Sequence, residues 1–156
     1  AKAVYVKKQI RYVVSETSTP EAWLDELESE LNLLHAADPQ QIDTTLLIQP
    51  HLFPEFLDFF FFLPEAEAVL KRAGLQGVIQ IANFHPHYEF AGSESDDIAN
   101  YTNRAPYPIL HLLREASLDK AVAAFPDAAD IFERNIATMQ NLGHAGWVRL
   151  WQSDKD

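Results

Sequence analysis

Thr44 to Gln49 reads T-T-L-L-I-Q, and this short run decides the fold class. Its apolar residues are consecutive rather than alternating. A strand made from it is therefore buried on both faces, as in a parallel sheet. Upstream, Gln9 to Glu16 (Q-I-R-Y-V-V-S-E) is rich in β-branched and aromatic residues and predicts a first strand. Downstream, Gly77 to Phe84 (G-V-I-Q-I-A-N-F) predicts a third. Between the first two, Ser18-Thr19-Pro20-Glu21 is a helix start: proline suits the first turn, and Ser18 with Glu21 has capping-box spacing. Leu24, Leu27, Leu31 and Leu34 then give one apolar helix face, and Ala37-Asp38-Pro39 ends it. Pro54 to Leu63 predicts a short helix, and Pro64 opens another that runs to Arg72, with Gly74 as its left-handed cap. Strand, helix, strand, helix, strand is the βαβ signature. It predicts an α/β fold with a small, mostly parallel βαβαβ sheet covered by helices.

The C-terminal part reads helical. After an acidic loop, Ala91 to Ala99, helices are predicted over Pro108–Ala116, Leu118–Ala124 and Ala128–Asn141, with Gly143 as the last cap. Ser117 and Asp127 stand at N-cap positions. A short final helix around Trp147 to Trp151 is expected to dock by its two tryptophans. The 156 residues suit a single domain, 1–156, without an internal repeat.

The formal net charge is −11, which argues against a nucleic-acid partner and against an anionic membrane surface. There are no cysteines, so a disulfide framework, a thiolate zinc site and a thiol nucleophile are excluded for these residues. The start, A-K-A-V-Y-V-K-K, lacks the apolar core of a signal peptide. The longest apolar stretch, Leu52 to Leu63, is interrupted by Pro54, Glu55 and Asp58 and is too short to span a bilayer. The expectation is a soluble cytoplasmic protein.

Candidate chemistry crowds into Phe84 to Glu115. In a parallel sheet the carboxyl ends of the strands share one edge, where ligands bind. Strand one ends at Ser15-Glu16, strand two at Pro50-His51 and strand three at His85-Pro86-His87. His85 and His87, two apart on extended chain, face one way and could hold a divalent metal (zinc, iron or manganese) with His51 as a third nitrogen. The same triplet also reads as a stiff turn. His85 and His111 are the candidate general acid or base, because imidazole titrates near neutral pH. Arg104, with Asn103 beside it and Arg114 further on, is the candidate clamp for a small anion, and Tyr101 and Tyr107 are candidate lining residues. Arg104 equally reads as an anchor for the acidic loop. His111, Arg114 and Glu115 stand at i, i+3 and i+4, one face of the predicted helix. Tyr88 is a further candidate lining ring, His35 and His144 read as structural groups near helix C-termini, and Glu21, Glu26, Glu28, Glu30, Glu65 and Glu67 read as solvated.

Phe59 to Phe62 cover every side of a helical turn, so either the segment is wholly internal or some rings face a partner or a second copy.

Several motifs together carry a resemblance. They are A-K-A-V at the start, Q-I-R-Y-V-V-S at 9 to 15, D-T-T-L-L-I at 43 to 48 and F-H-P-H-Y-E-F-A-G at 84 to 92. N-Y-T-N-R-A-P-Y-P at 100 to 108, L-H-L-L-R-E-A-S at 110 to 117 and E-R-N-I-A-T at 133 to 138 continue it. On these the chain resembles a family of uncharacterised bacterial proteins, domain-of-unknown-function family 1415, nearly end to end. The resemblance implies no activity. The family pattern has serine where this chain has Ala105, often histidine at Gln49, and polar residues within the stretch occupied by Phe59 to Phe62. It also begins with a helix and a segment ending Cys-Pro-Phe ahead of A-K-A-V, which implies that Ala1 is not the native start.

Two functions compete on this sequence. One is an enzyme or binding protein for a small anionic metabolite, with a His/Arg/Tyr pocket at the carboxyl edge of the sheet. The alternative is a non-catalytic interaction or assembly protein that uses an acidic surface and the phenylalanine cluster.

Overall fold

Four strands, β1 (Ile10–Val14), β2 (Thr44–Ile48), β3 (Ile79–Phe84) and β4 (Ile109–Arg114), form one sheet in the order β1-β2-β4-β3 in the computed structural model, which describes residues 2–124 and 130–152. β1 and β2 pair in parallel, whereas β4 is antiparallel to both β2 and β3. β1, β2 and β3 therefore run in one direction, and β4 is wedged against them between β2 and β3. This corrects the expected mostly parallel βαβαβ sheet: the fold is mixed α/β, with β1–β2 as its parallel pair. The difference lies in residues 109–114, predicted as helix. The sequence I-L-H-L-L-R has helical spacing of its polar groups, but as a strand it satisfies the backbone groups of two neighbours at once.

The helices are α1 (Lys2–Val6), α2 (Pro20–Ala36), α3 (Phe56–Arg72), α4 (Glu115–Ala124) and α5 (Asp130–Trp151). The cap of α2 is Thr19 rather than Ser18; its side chain accepts the Ala22 N–H at 3.3 Å. α3 is one helix with Pro64 inside it, not two helices meeting there. Proline deletes the bond to the carbonyl of Phe60, four residues back. The helix continues because Phe59, Phe62, Ala66, Val69 and Leu70 keep burying one face. α5 bends at Gly143 (φ 62°), where a cap was expected. Ser117 lies inside α4 and donates to Asp43 at 2.7 Å, while Asp127 lies outside the described residues.

α2 and α3 cover one face of the sheet. Trp23, Leu27, Leu31 and Leu34 from α2 and Phe59, Phe62 and Val69 from α3 meet Leu47, Ile79, Leu110 and Leu112 in a single core. Arg11 reaches the same side, where its guanidinium grips Glu30 through two bonds of 2.7 and 2.9 Å. Glu30 is therefore buried and paired rather than solvated. The pairing register puts Ile10, Tyr12 and Val14, then Leu46 and Ile48, then Ile109, His111 and Leu113, on the opposite face. No helix among the described residues is long and apolar enough to cross a membrane.

Candidate functional site

The carboxyl ends of β1, β2 and β3 gather Ser15, Gln49 and His85, all fully buried, at one edge. Gln49 ties the first two ends together. Its amide donates to Ser15 Oγ at 3.3 Å and Thr17 Oγ1 at 3.1 Å, and its carbonyl accepts the His51 N–H at 2.8 Å. His51 itself is exposed.

His85 ties the third end to the turn before α3. Its Nδ1 accepts the His87 N–H at 3.0 Å, so the ring proton sits on Nε2, which donates to the Phe53 carbonyl at 2.9 Å. The ring lies between Phe56 and Phe59, each 5.4 Å away. Burial lowers its pKa below the usual imidazole value, which keeps it neutral. Phe53 adopts φ 57°, an uncommon conformation for an aromatic residue, and its ring packs on Trp23 and Phe62. Both His85 nitrogens are thus engaged in holding this turn. The His85 and His87 rings are 6.0 Å apart. Among the described residues no group of three His, Asp or Glu side chains is placed to hold a metal ion.

The chain from residue 86 to 103 folds over this edge and is pinned from within. Asn100, fully buried, accepts from Phe90 N–H and Ser93 Oγ and donates to the Glu94 carbonyl. Arg104 donates to the carbonyls of Tyr88 (3.2 Å) and Ser95 (2.6 Å), with its guanidinium carbon 4.1 Å from the Tyr101 ring centre. It anchors the acidic loop through carbonyls. Tyr88 hydrogen-bonds Asn103, and burial raises its pKa. Tyr101 is the seat for α5: His144 and Trp147 meet its ring edge-on at 5.1 and 5.5 Å. His144 also reaches the Asp96 carbonyl at 2.8 Å. Trp147 docks as expected of it, and the side chain of Trp151 lies outside the described residues. Tyr107 is half exposed.

The remaining candidates lie elsewhere. His111 and Arg114 stand three apart on a strand, hence on opposite faces, not on one helix face with Glu115. His111 is on the open face, where Nε2 meets Thr44 Oγ1 at 2.8 Å. That hydroxyl donates to the Leu112 carbonyl at 2.6 Å, so it accepts from the imidazole. Burial lowers the His111 pKa to about 4. Arg114, paired with the first residue of β3, is at the far end of the sheet from Arg104. Its guanidinium caps α2 by donating to the carbonyls of Leu34, Ala37 and Ile42. Arg104 and Arg114 therefore do not converge.

What does open to solvent at the carboxyl edge is a groove of about 700 Å³ between the start of α3 and the chain after His87. Phe56, Leu57, Phe60 and Phe90 supply its apolar wall; Glu55, Asp58, Glu89 and His87 supply its polar atoms. Among the described residues no lysine or arginine lines it. Phe59 and Phe62 turn into the core, while Phe60 and Phe61 are 53% and 70% exposed, so the phenylalanine run is divided between core and surface. The three carboxylates were not legible as a set, because Glu55 and Asp58 come from one element and Glu89 from another. The Phe run was the available signal.

A family model described as Protein of unknown function (DUF1415) matches residues 1–149. No curated protein and no solved structure matches the chain.

Proposed function

From the premise that the chain belongs to the DUF1415 family, whose description names no activity, we propose that it is a non-catalytic interaction protein. Its docking site is the groove between α3 and the chain after His87, and its partner is a segment that presents a cation beside an apolar side chain. The observation that carries this reading is the composition of the groove wall. Three carboxylates stand among phenylalanine rings with, among the described residues, no basic side chain other than His87. A cation gains there from the carboxylates and from the ring faces together. Phe61, 70% exposed, extends the apolar part beyond the groove. An anion is served less well. The N-terminus of α3 would attract one, but Glu55 and Asp58 already occupy that end. Arg104, the nearest guanidinium in sequence, is committed to two backbone carbonyls.

The test is a titration with a fluorescein-labelled decapeptide of alternating lysine and phenylalanine, and with the same peptide carrying glutamate for lysine. Binding of the lysine peptide, weakened about tenfold or more by Glu55→Gln with Asp58→Asn and separately by Phe60→Ser, is expected. Equal binding of both peptides, or affinity unchanged in these variants, contradicts the reading.

A further inference from the structure

We propose that the outer edge of β1 pairs with β1 of a second copy, antiparallel and centred on Tyr12, joining two four-stranded sheets into one of eight. This rests on a different surface from the groove. β1 is an edge strand: β2 adjoins it on one side, and no described strand adjoins the other. The hydrogen bonds fix which backbone groups are free. Gln9 accepts from Asp43 and Ser15 donates to Ile48, so the odd-numbered residues of β1 face β2. Ile10, Tyr12 and Val14 consequently turn their N–H and C=O groups outward.

Three features select a second copy as the occupant. An edge strand paired antiparallel with itself is self-complementary, as a two-fold interface requires. Centring on Tyr12 opposes Ile10 to Val14 of the second copy, Tyr12 to Tyr12 and Val14 to Ile10, so every outward residue finds a partner. A slip of two residues leaves one unpaired. The antiparallel arrangement also sets Lys7 and Lys8, which precede β1, toward the end of the second copy's β1 that Glu16 follows, and all three residues are exposed. Lys8 itself lies outside the ladder, at φ 57° with its N–H on the Tyr5 carbonyl. Charges of opposite sign thus meet across the interface of a chain whose net charge of −11 otherwise repels a copy of itself.

The side chains agree with the backbone. Tyr12 and Val14 are 56% and 59% exposed on the open face, and Tyr5 and Val6, beside Tyr12, are also largely exposed. An exposed apolar edge of this kind is a liability that proteins cover or pair.

Sedimentation equilibrium of the full chain from about 1 to about 100 µM is expected to show a dimer. Tyr12→Lys, which sets like charges directly opposite, is expected to weaken it about a hundredfold or more while circular dichroism stays unchanged. Lys8→Glu is expected to weaken it, and Lys8→Glu with Glu16→Lys to restore it; this pair decides the matter if Tyr12→Lys fails to fold. The chain has no cysteine, so a single introduced one reports only contacts between copies. Tyr12→Cys is expected to oxidise to a linked dimer, since opposed residues of an antiparallel pair lie about 5.5 Å apart at Cα. Val14→Cys, four residues out of register with itself, is expected to stay unlinked. A monomer across the whole range, a dimer indifferent to these charge changes, or preferential linking through Val14→Cys overturns the proposal.

Discussion

On the covered face of the sheet Leu47, Leu110 and Leu112 are fully buried beneath α2 and α3; on the open face Tyr12 and Val14 stay more than half exposed. Both faces are apolar by composition. The strands β1, β2 and β3 run one way, and the two crossing helices, α2 and α3, pack together on the same side. The chain thus spends its two long amphipathic helices on one face, and the other retains apolar side chains for contacts that the crossovers do not supply. Composition therefore says that a sheet is apolar, but connectivity says which side becomes the core.

The comparison breaks if truncation costs the same on both sides. Leu47→Ala is expected to destabilise by about 2–5 kcal/mol, through lost transfer energy and the cavity left behind. Val14→Thr is expected to change stability by no more than about 0.5 kcal/mol in the monomer. Urea unfolding of both variants at low protein concentration checks this.

The open face is nevertheless sheltered enough at its centre to matter for pH. Burial lowers the His111 pKa from 6.5 to about 4. As pH falls, the unfolded chain takes up the proton first. The contribution of neutral His111 is therefore complete above about 6.5 and lost progressively down to about 4, amounting to about 3 kcal/mol at most. Urea unfolding at pH 7, 5.5 and 4.5 is expected to show a shallower acid-side fall for His111→Val than for the parent chain. Equal slopes would mean that the ring is as well solvated as an exposed histidine.

The smallest effect concerns the seam between β1 and α2. Arg11→Met leaves Glu30, 7% exposed, without its partner. It is expected to cost about 2 kcal/mol at pH 7, less than a fully buried pair because the arginine is partly solvated. Urea midpoints of the variant and the parent chain at pH 7 test this.

The directions of β1, β2 and β3 were legible because each strand is a compact β-branched run and long crossovers intervene. β4 was not. Ile109 is its only β-branched residue, and His111, Arg114 and Glu115 fall at helical spacing; what overrides this is the slot between β2 and β3, a tertiary fact. In the candidate site, residue types drew the eye to the carboxyl edge, yet Arg104, Arg114 and His85 all bond backbone carbonyls there or elsewhere. Carbonyls have no residue identity, so a sequence cannot display them as partners. The split of Phe59 and Phe62 from Phe60 and Phe61 was half legible. Helical periodicity separates the four rings, but only the position of α3 on the sheet decides which pair is covered.

The most direct measurement is an amide chemical-shift titration of the protein with the lysine–phenylalanine decapeptide. Shifts concentrated at residues 55–61 and 87–93, fading as salt is raised, are what the groove predicts. Shifts gathered instead around Tyr101, Asn103 and Arg104, or produced equally by the glutamate peptide, would contradict it.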